Sequence, residues 1–163
     1  MVNKRPHRKA IIGRSELINI INPDIADIPT KIDSGAFRSA IHATNVKIKS
    51  ADGKKILTCE LLGHPAYPES IAFETEKFGK VWVQNSFGVR AQRYEVQLKL
   101  KVGSKIFLTP FTLADRANNL FPILLGRKAL KDRFIVDVSE VGVDRLKLKK
   151  KNKITIIEEE DSE

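Results

Sequence analysis

The chain has 163 residues and carries 29 Lys and Arg against 20 Asp and Glu, a formal net charge of +9. That length forms one domain with a real core, and the ordinary share of apolar residues excludes a disordered or fibrous protein. No apolar stretch is long enough to span a membrane as a helix, and the basic start, Met1–Lys9, runs into no apolar signal-type segment.

In chain order, residues 1–9 read as a basic arm and the folded domain as 10–146. Ala10–Ile12 and Leu17–Ile21 read as short strands, with Asn22-Pro23-Asp24 as a turn. Ile28–Ile32 is a strand that delivers Asp33-Ser34-Gly35 at its end. Ser39–Lys49 alternates apolar and polar residues and reads as a strand. Ala51-Asp52-Gly53-Lys54 suits a type I′ hairpin turn, and Lys55–Leu62 returns. Gly63–Ser70, with Pro65 and Pro68, reads as a loop.

Val81–Asn85 is a further strand. Tyr94–Val102 and Lys105–Leu113 form a hairpin with one apolar and one basic face. Leu120–Leu125 is an apolar strand, Arg127–Asp132 a helical turn or two, and Phe134–Val138 the last strand. Lys147–Lys153 holds five lysines, and Glu158–Glu163 is acidic. Such charge blocks read as a tail over 147–163, with Ile154–Ile157 as a possible edge strand. The sum is a mainly β chain: a closed, mostly antiparallel β-barrel with one short C-terminal helix.

Few residues advertise chemistry. The three histidines, His7, His42 and His64, show no metal-ligand spacing, and there is no second cysteine to join Cys59. No phosphate-cradling Gly-rich loop with Lys and Ser or Thr is present. The residues therefore indicate no cofactor and no metal. Cys59 can form no disulfide within the chain. It reads as a small buried hydrophobe, and a reducing, cytoplasmic setting fits it. His42 reads as a quiet structural histidine near the Asp33 loop.

Asp33-Ser34-Gly35 stands out. Its plain reading is an ordinary turn, since all three residues favour turns. Its chemical reading is a carboxylate set at a tight bend, with a hydroxyl to lock the loop and a glycine that lets another backbone approach. The apolar flanks, and Phe121-Pro122-Ile123-Leu124-Leu125-Gly126-Arg127 far downstream, favour the second reading.

Lys31-Ile32-Asp33-Ser34-Gly35-Ala36 with Ser39–Ala43, Leu113–Asn118, Phe121–Arg127, Phe134–Asp137 and the opening Ile11–Arg14 together resemble a retropepsin-like family. Its members are often labelled ATP-dependent zinc proteases. The resemblance runs from Ile11 to Val138. It implies a retropepsin-like barrel with Asp33 as the catalytic aspartate, and Ser34, Gly35, Ala36 and Gly126 supporting the active-site loop. It implies peptide or glutamyl-amide hydrolysis, because some relatives accompany ATP-grasp ligases and trim glutamyl tails. Ser34 stands where Thr is commoner. Phe37 stands where the family loop has Arg, and Arg38 follows it.

A pepsin-type mechanism needs two aspartates sharing a proton. One Asp33 loop per chain therefore implies a homodimer with both Asp33 side chains at its axis. Arg38, Arg116 and Arg127 are candidate grips for an acidic substrate; the structural reading of Arg116 and Arg127 is that they brace Asp115 and the dimer interface. The acidic tail reads first as a solvated segment that neutralises Lys147–Lys153; its second reading, from its likeness to such a substrate, is a weak competitor for the cleft. The rival reading is a nucleic-acid- or ribosome-binding barrel without catalysis. It rests on the basic charge and on Phe87 and Tyr94 near Arg90 and Arg93.

Overall fold

The computed structural model of the chain describes residues 8–85 and 87–151. Most of the basic arm, the Ile154–Ile157 segment and the acidic tail lie outside the described residues.

Among the described residues, eleven strands build the fold. They are β1 (Ala10–Ile12), β2 (Ser15–Ile20), β3 (Ile25–Ile32), β4 (Ser39–Ala51), β5 (Lys54–His64), β6 (Tyr67–Thr75), β7 (Phe78–Gln84), β8 (Arg90–Val102), β9 (Lys105–Ala114), β10 (Ile123–Leu125) and β11 (Phe134–Val136). A single turn of helix, α1 (Arg127–Leu130), follows β10. Residues 145–151 form a second short helical stretch.

Six strands close a ring in the order β10–β3–β2–β8–β9–β4, and β4 returns to β10. The expected barrel is therefore present. Closure depends on two parallel pairings, β10 with β3 and β9 with β4, inserted among antiparallel ones. β5 and β6 extend the sheet beyond β4, and β7 pairs only with β8.

Period-two patterning explains why these segments are strands. In β8, Val96, Leu98, Leu100 and Val102 are buried, while Gln97, Lys99 and Lys101 face out. Ile18, Ile20, Ile28, Ile41, Phe111, Ile123 and Leu125 complete the barrel interior, all fully buried. Each such side chain contributes about 1.5–3 kcal/mol on leaving water. The Asp-Gly turn forms as expected: Asp52 and Gly53 both take positive φ, 50° and 74°, which is what a type I′ turn requires.

Some expectations are corrected. The segment read as a loop over Gly63–Ser70 is mostly strand, because β5 runs on to His64 and β6 starts at Tyr67. Pro68 is tolerated there because β6 lies at a sheet edge and needs no amide on its outer side. Strand β6 itself was hidden by its mixed polarity, since it carries two exposed glutamates, Glu69 and Glu74. Leu120 and Phe121 precede β10 and pack into a satellite cluster with Ala66, Val143 and Leu148. Leu148 thereby ties the start of the Lys-rich run to the body of the protein.

Candidate active site

The Asp33 loop is held from two sides. The Asp33 amide donates to the Leu125 carbonyl at 2.9 Å, which extends the parallel β3–β10 ladder one residue further. The Arg127 amide donates to the Ala36 carbonyl at 2.7 Å, and the Lys128 amide to the Phe37 carbonyl at 3.0 Å. Gly126 makes this approach possible. A Cβ there would lie 2.6 Å from the Arg38 carbonyl oxygen and 2.8 Å from that of Ala36. Its amide donates to the buried Ser39 hydroxyl at 3.1 Å. Within the loop, the Gly35 amide donates to Asp33 Oδ1 at 2.9 Å, and Lys31 Nζ stands 3.7 Å from Oδ2. The carboxylate is thus oriented by a backbone donor and a cation, and its side chain remains 26% exposed.

Asp33, Gly35, Ala36, Arg38, Arg116 and Arg127 all line one cleft of about 800 Å³. The three arginines do different things in it. Arg127 Nη1 donates to the Ser34 carbonyl at 3.1 Å, so it braces the loop. Arg38 pairs with Glu95 at 2.6 Å, so its charge is already matched. Arg116 donates through Nε to the Phe121 carbonyl at 3.0 Å, and among the described residues its terminal nitrogens have no hydrogen-bond partner. Burial and the neighbouring Arg93 push its pKa down, while Asp33 draws it up. Ser34 faces the neighbouring groove beside Phe37 and contributes its carbonyl. Phe37, half exposed, sits under the cations of Arg38, Arg127 and Lys128 at 5.6–5.9 Å.

Arg116 is placed by two buried histidines. The Arg116 amide donates to His42 Nδ1 at 2.8 Å. The Ala66 amide donates to His64 Nδ1 at 3.0 Å. This leaves His64 Nε2 as the donor to the carbonyls of Arg116 and Asn119, both at 2.8 Å. The two rings meet edge to face at 5.4 Å. Burial lowers the pKa of both, against an opposing pull from Asp115 on His42 and from the two carbonyls on His64. His42 is therefore structural, as read from sequence, and His64 is its counterpart.

Of the far wall of the cleft, the sequence offers Phe73–Val83, one of two candidate flaps with Lys49–Ile56; its other residues were missed. Trp82, Gln84 and Asn85 from the end of β7, Arg93 from β8, and Asn119 face Asp33 across it. Residues 90–94 of β8 pair only with β7, since the β8–β9 register begins at Glu95. β7 and the start of β8 therefore form an arm that leaves the barrel and overhangs the cleft. The turn at Asn85 and Gly88 signals the hairpin, but no feature of the sequence says which way it leans.

Cys59 is buried and free, with its thiol pushed up to about 11 by burial and by Glu60. Among the described residues, no group of three or more His, Cys, Asp or Glu side chains converges on a metal position. No helix among them is long and apolar enough to cross a membrane.

Comparison with known proteins bears on the fold and the family. A crystal structure of Lpg0085, a protein of unknown function from Legionella pneumophila, superposes with a TM-score of 0.67 at 29% identity. It covers 82% of this chain and 97% of that one. Probable alpha-L-glutamate ligases are similar too. One from Desulfotalea psychrophila is 32% identical over 79% of this chain and 28% of its own length. One from Shewanella pealeana is 28% identical over 81% of this chain and 29% of its own. The chain thus spans under a third of these curated relatives. Residues 11–146 match the RimB-like family, described as retropepsin-like aspartic endopeptidase RimB, and the chain belongs to that family.

Proposed function

We propose that this protein is an aspartic peptidase that hydrolyses peptide or glutamyl amide bonds in acidic chains. In this reading the active site forms between two copies, each contributing Asp33. The observation that carries the proposal is Asp33 itself: an oriented, partly exposed carboxylate at a cleft whose other charged lining includes Arg93 and Arg116. Family membership supports the hydrolytic class. The names of the longer relatives point to glutamate as the chemistry nearby.

The chemistry follows from two carboxylates placed close together. Like charges so near cannot both ionise, so the pair holds one proton. The ionised Asp33 takes a proton from a water, whose oxygen attacks the carbonyl carbon of the scissile amide. The protonated Asp33 donates to the carbonyl oxygen. Collapse of the tetrahedral intermediate breaks the C–N bond, with a proton delivered to the leaving nitrogen. Phe37, exposed beside the loop, offers apolar surface for the second copy.

Arg116 is the best-placed grip for a substrate carboxylate, because its terminal nitrogens point to no partner among the described residues. A guanidinium matches a carboxylate with two parallel hydrogen bonds. Arg38, matched by Glu95, is better read as bracing the loop against β8.

The test is cleavage of an oligoglutamate peptide and a neutral peptide by the wild type, Asp33→Asn and Arg116→Gln. Asp33→Asn is expected to lose about 100-fold or more of the rate on both. Arg116→Gln is expected to raise KM for the acidic peptide alone. Full activity of Asp33→Asn would remove the aspartic mechanism. Equal cleavage of both peptides by the wild type would remove the acidic preference.

A further inference from the structure

A second cavity, of about 420 Å³, is surrounded by Arg14, Lys31, Arg116 and Arg145. Its size lies within the range of small-ligand sites, about 300–1,000 Å³. The four cations come from four separate segments: the β1–β2 connection, β3, the loop after β9, and the helical stretch over 145–151. Among the described residues no carboxylate lines the cavity. Three acidic groups adjacent to lining residues are otherwise engaged, Asp144 among them through the amides of Leu146 and Lys147. Glu16 accepts the Gly13 amide at 2.7 Å, and Asp33 sits on the cleft side of Lys31. The guanidinium groups of Arg14 and Arg145 have no carboxylate partner among the described residues. Four like charges gathered around one hollow repel one another, and an anion in that hollow reverses the sign of the interaction.

This cavity adjoins the cleft. Arg116, Asn119 and Leu124 line both. Lys31 lines the second cavity while its Nζ stands 3.7 Å from the Asp33 carboxylate. The cavity therefore opens one side chain away from Asp33. An extended peptide advances about 3.3–3.6 Å per residue, so a chain centred on Asp33 reaches it within a few residues. Leu120, Phe121 and Val141 give the cavity an apolar wall, suited to the methylenes of an acidic side chain, while the cations meet its carboxylate.

We propose that this cavity is a second anion site of the same groove, and that it takes a further carboxylate of an acidic peptide bound at Asp33. This rests on the peptidase reading for its substrate and on the four cations for its chemistry. In function it rewards length: a chain with several acidic residues is held at Arg116 and again at Arg14 and Arg145.

The test is a binding titration of diglutamate, pentaglutamate and inorganic phosphate. It uses the Asp33→Asn chain, so that binding is read whether or not hydrolysis occurs. Pentaglutamate is expected to bind about tenfold more tightly than diglutamate, the worth of one further charged hydrogen-bonded contact. Adding Arg14→Gln and Arg145→Gln is expected to abolish that gain and leave diglutamate affinity unchanged. Arg14→Lys with Arg145→Lys is expected to keep part of the gain, which separates loss of charge from loss of folding. Equal affinity for the two peptides would overturn the proposal. So would an equal loss for both peptides on substitution, which marks a general field. Phosphate binding that depends on Arg14 and Arg145 but is not displaced by pentaglutamate would also overturn it, assigning the cavity to a free anion. A failure of the peptidase reading shows separately, as absence of cleavage by the wild type.

Discussion

Gly126 passes so close to Arg38 that the Arg38 carbonyl oxygen lies 2.6 Å from where a Gly126 Cβ would stand. This contact locks the Asp33 loop to the β10–α1 junction. The obstruction is backbone, so no side chain can swing aside to relieve it.

Gly126→Ala is therefore expected to destabilise the protein by about 1–3 kcal/mol, the usual cost of forcing a methyl into a packed site. It is also expected to lower activity more than a stability loss of that size explains, because the strain falls on the loop that aims Asp33. Denaturant unfolding and peptide cleavage at a temperature where the variant is folded check this. Wild-type stability in the variant would contradict the packing described.

His42 and His64 set a pH dependence. Burial lowers both pKa values from the ordinary 6.5. Below that value the unfolded chain binds protons that the folded one refuses. Their contribution to stability is thus complete above about pH 6.5 and is lost as pH falls through the lowered values. Protonation at Nδ1 would also break the bonds from the Arg116 and Ala66 amides, which loosens the loop carrying Arg116. Imidazole titration by NMR is expected to give values below 6.5 for both, with the denaturation midpoint falling as the pH drops below that point. Titration at or above 6.5 would contradict the neutral clamp.

Trp82 is the only tryptophan in the chain. It is 58% exposed, lies under Arg90 at 5.4 Å, and lines the cleft. Of the two candidate flaps, we propose the β7–β8 arm that carries Trp82 rather than the β4–β5 hairpin. Acidic peptide binding to Asp33→Asn is expected to change its fluorescence, and Trp82→Ala to raise KM. An unchanged spectrum at saturating peptide would place the arm outside the site.

Much of this was legible in the sequence, for definable reasons. Strands such as Tyr94–Val102 announce themselves because one face is apolar and the other basic. The Asp33 loop and its Gly126 partner were legible as two short motifs, although nothing in their separation says that they touch. The role of Arg38 was not legible, since only the fold brings Glu95 within 2.6 Å of it. The same holds for Arg93, which reads with Arg90, Phe87 and Tyr94 as a nucleic-acid-binding feature until the fold sets it in the cleft. The histidine clamp depends on backbone amides and carbonyls of residues far apart in the chain, which side-chain patterns do not encode. Strand β6 was lost because an edge strand with Glu69 and Glu74 and an embedded proline lacks the apolar alternation that marks a buried strand.

We propose that one active site takes Asp33 from each of two chains. Subunit mixing tests it most directly. Wild-type protein is combined with increasing amounts of Asp33→Asn under conditions that exchange partners, and cleavage is measured per wild-type chain. A shared site predicts that activity per wild-type chain falls in proportion to the wild-type fraction, because each mixed pair is lost. Activity per wild-type chain that stays constant as the variant is added would contradict it, and would place the whole mechanism within a single copy.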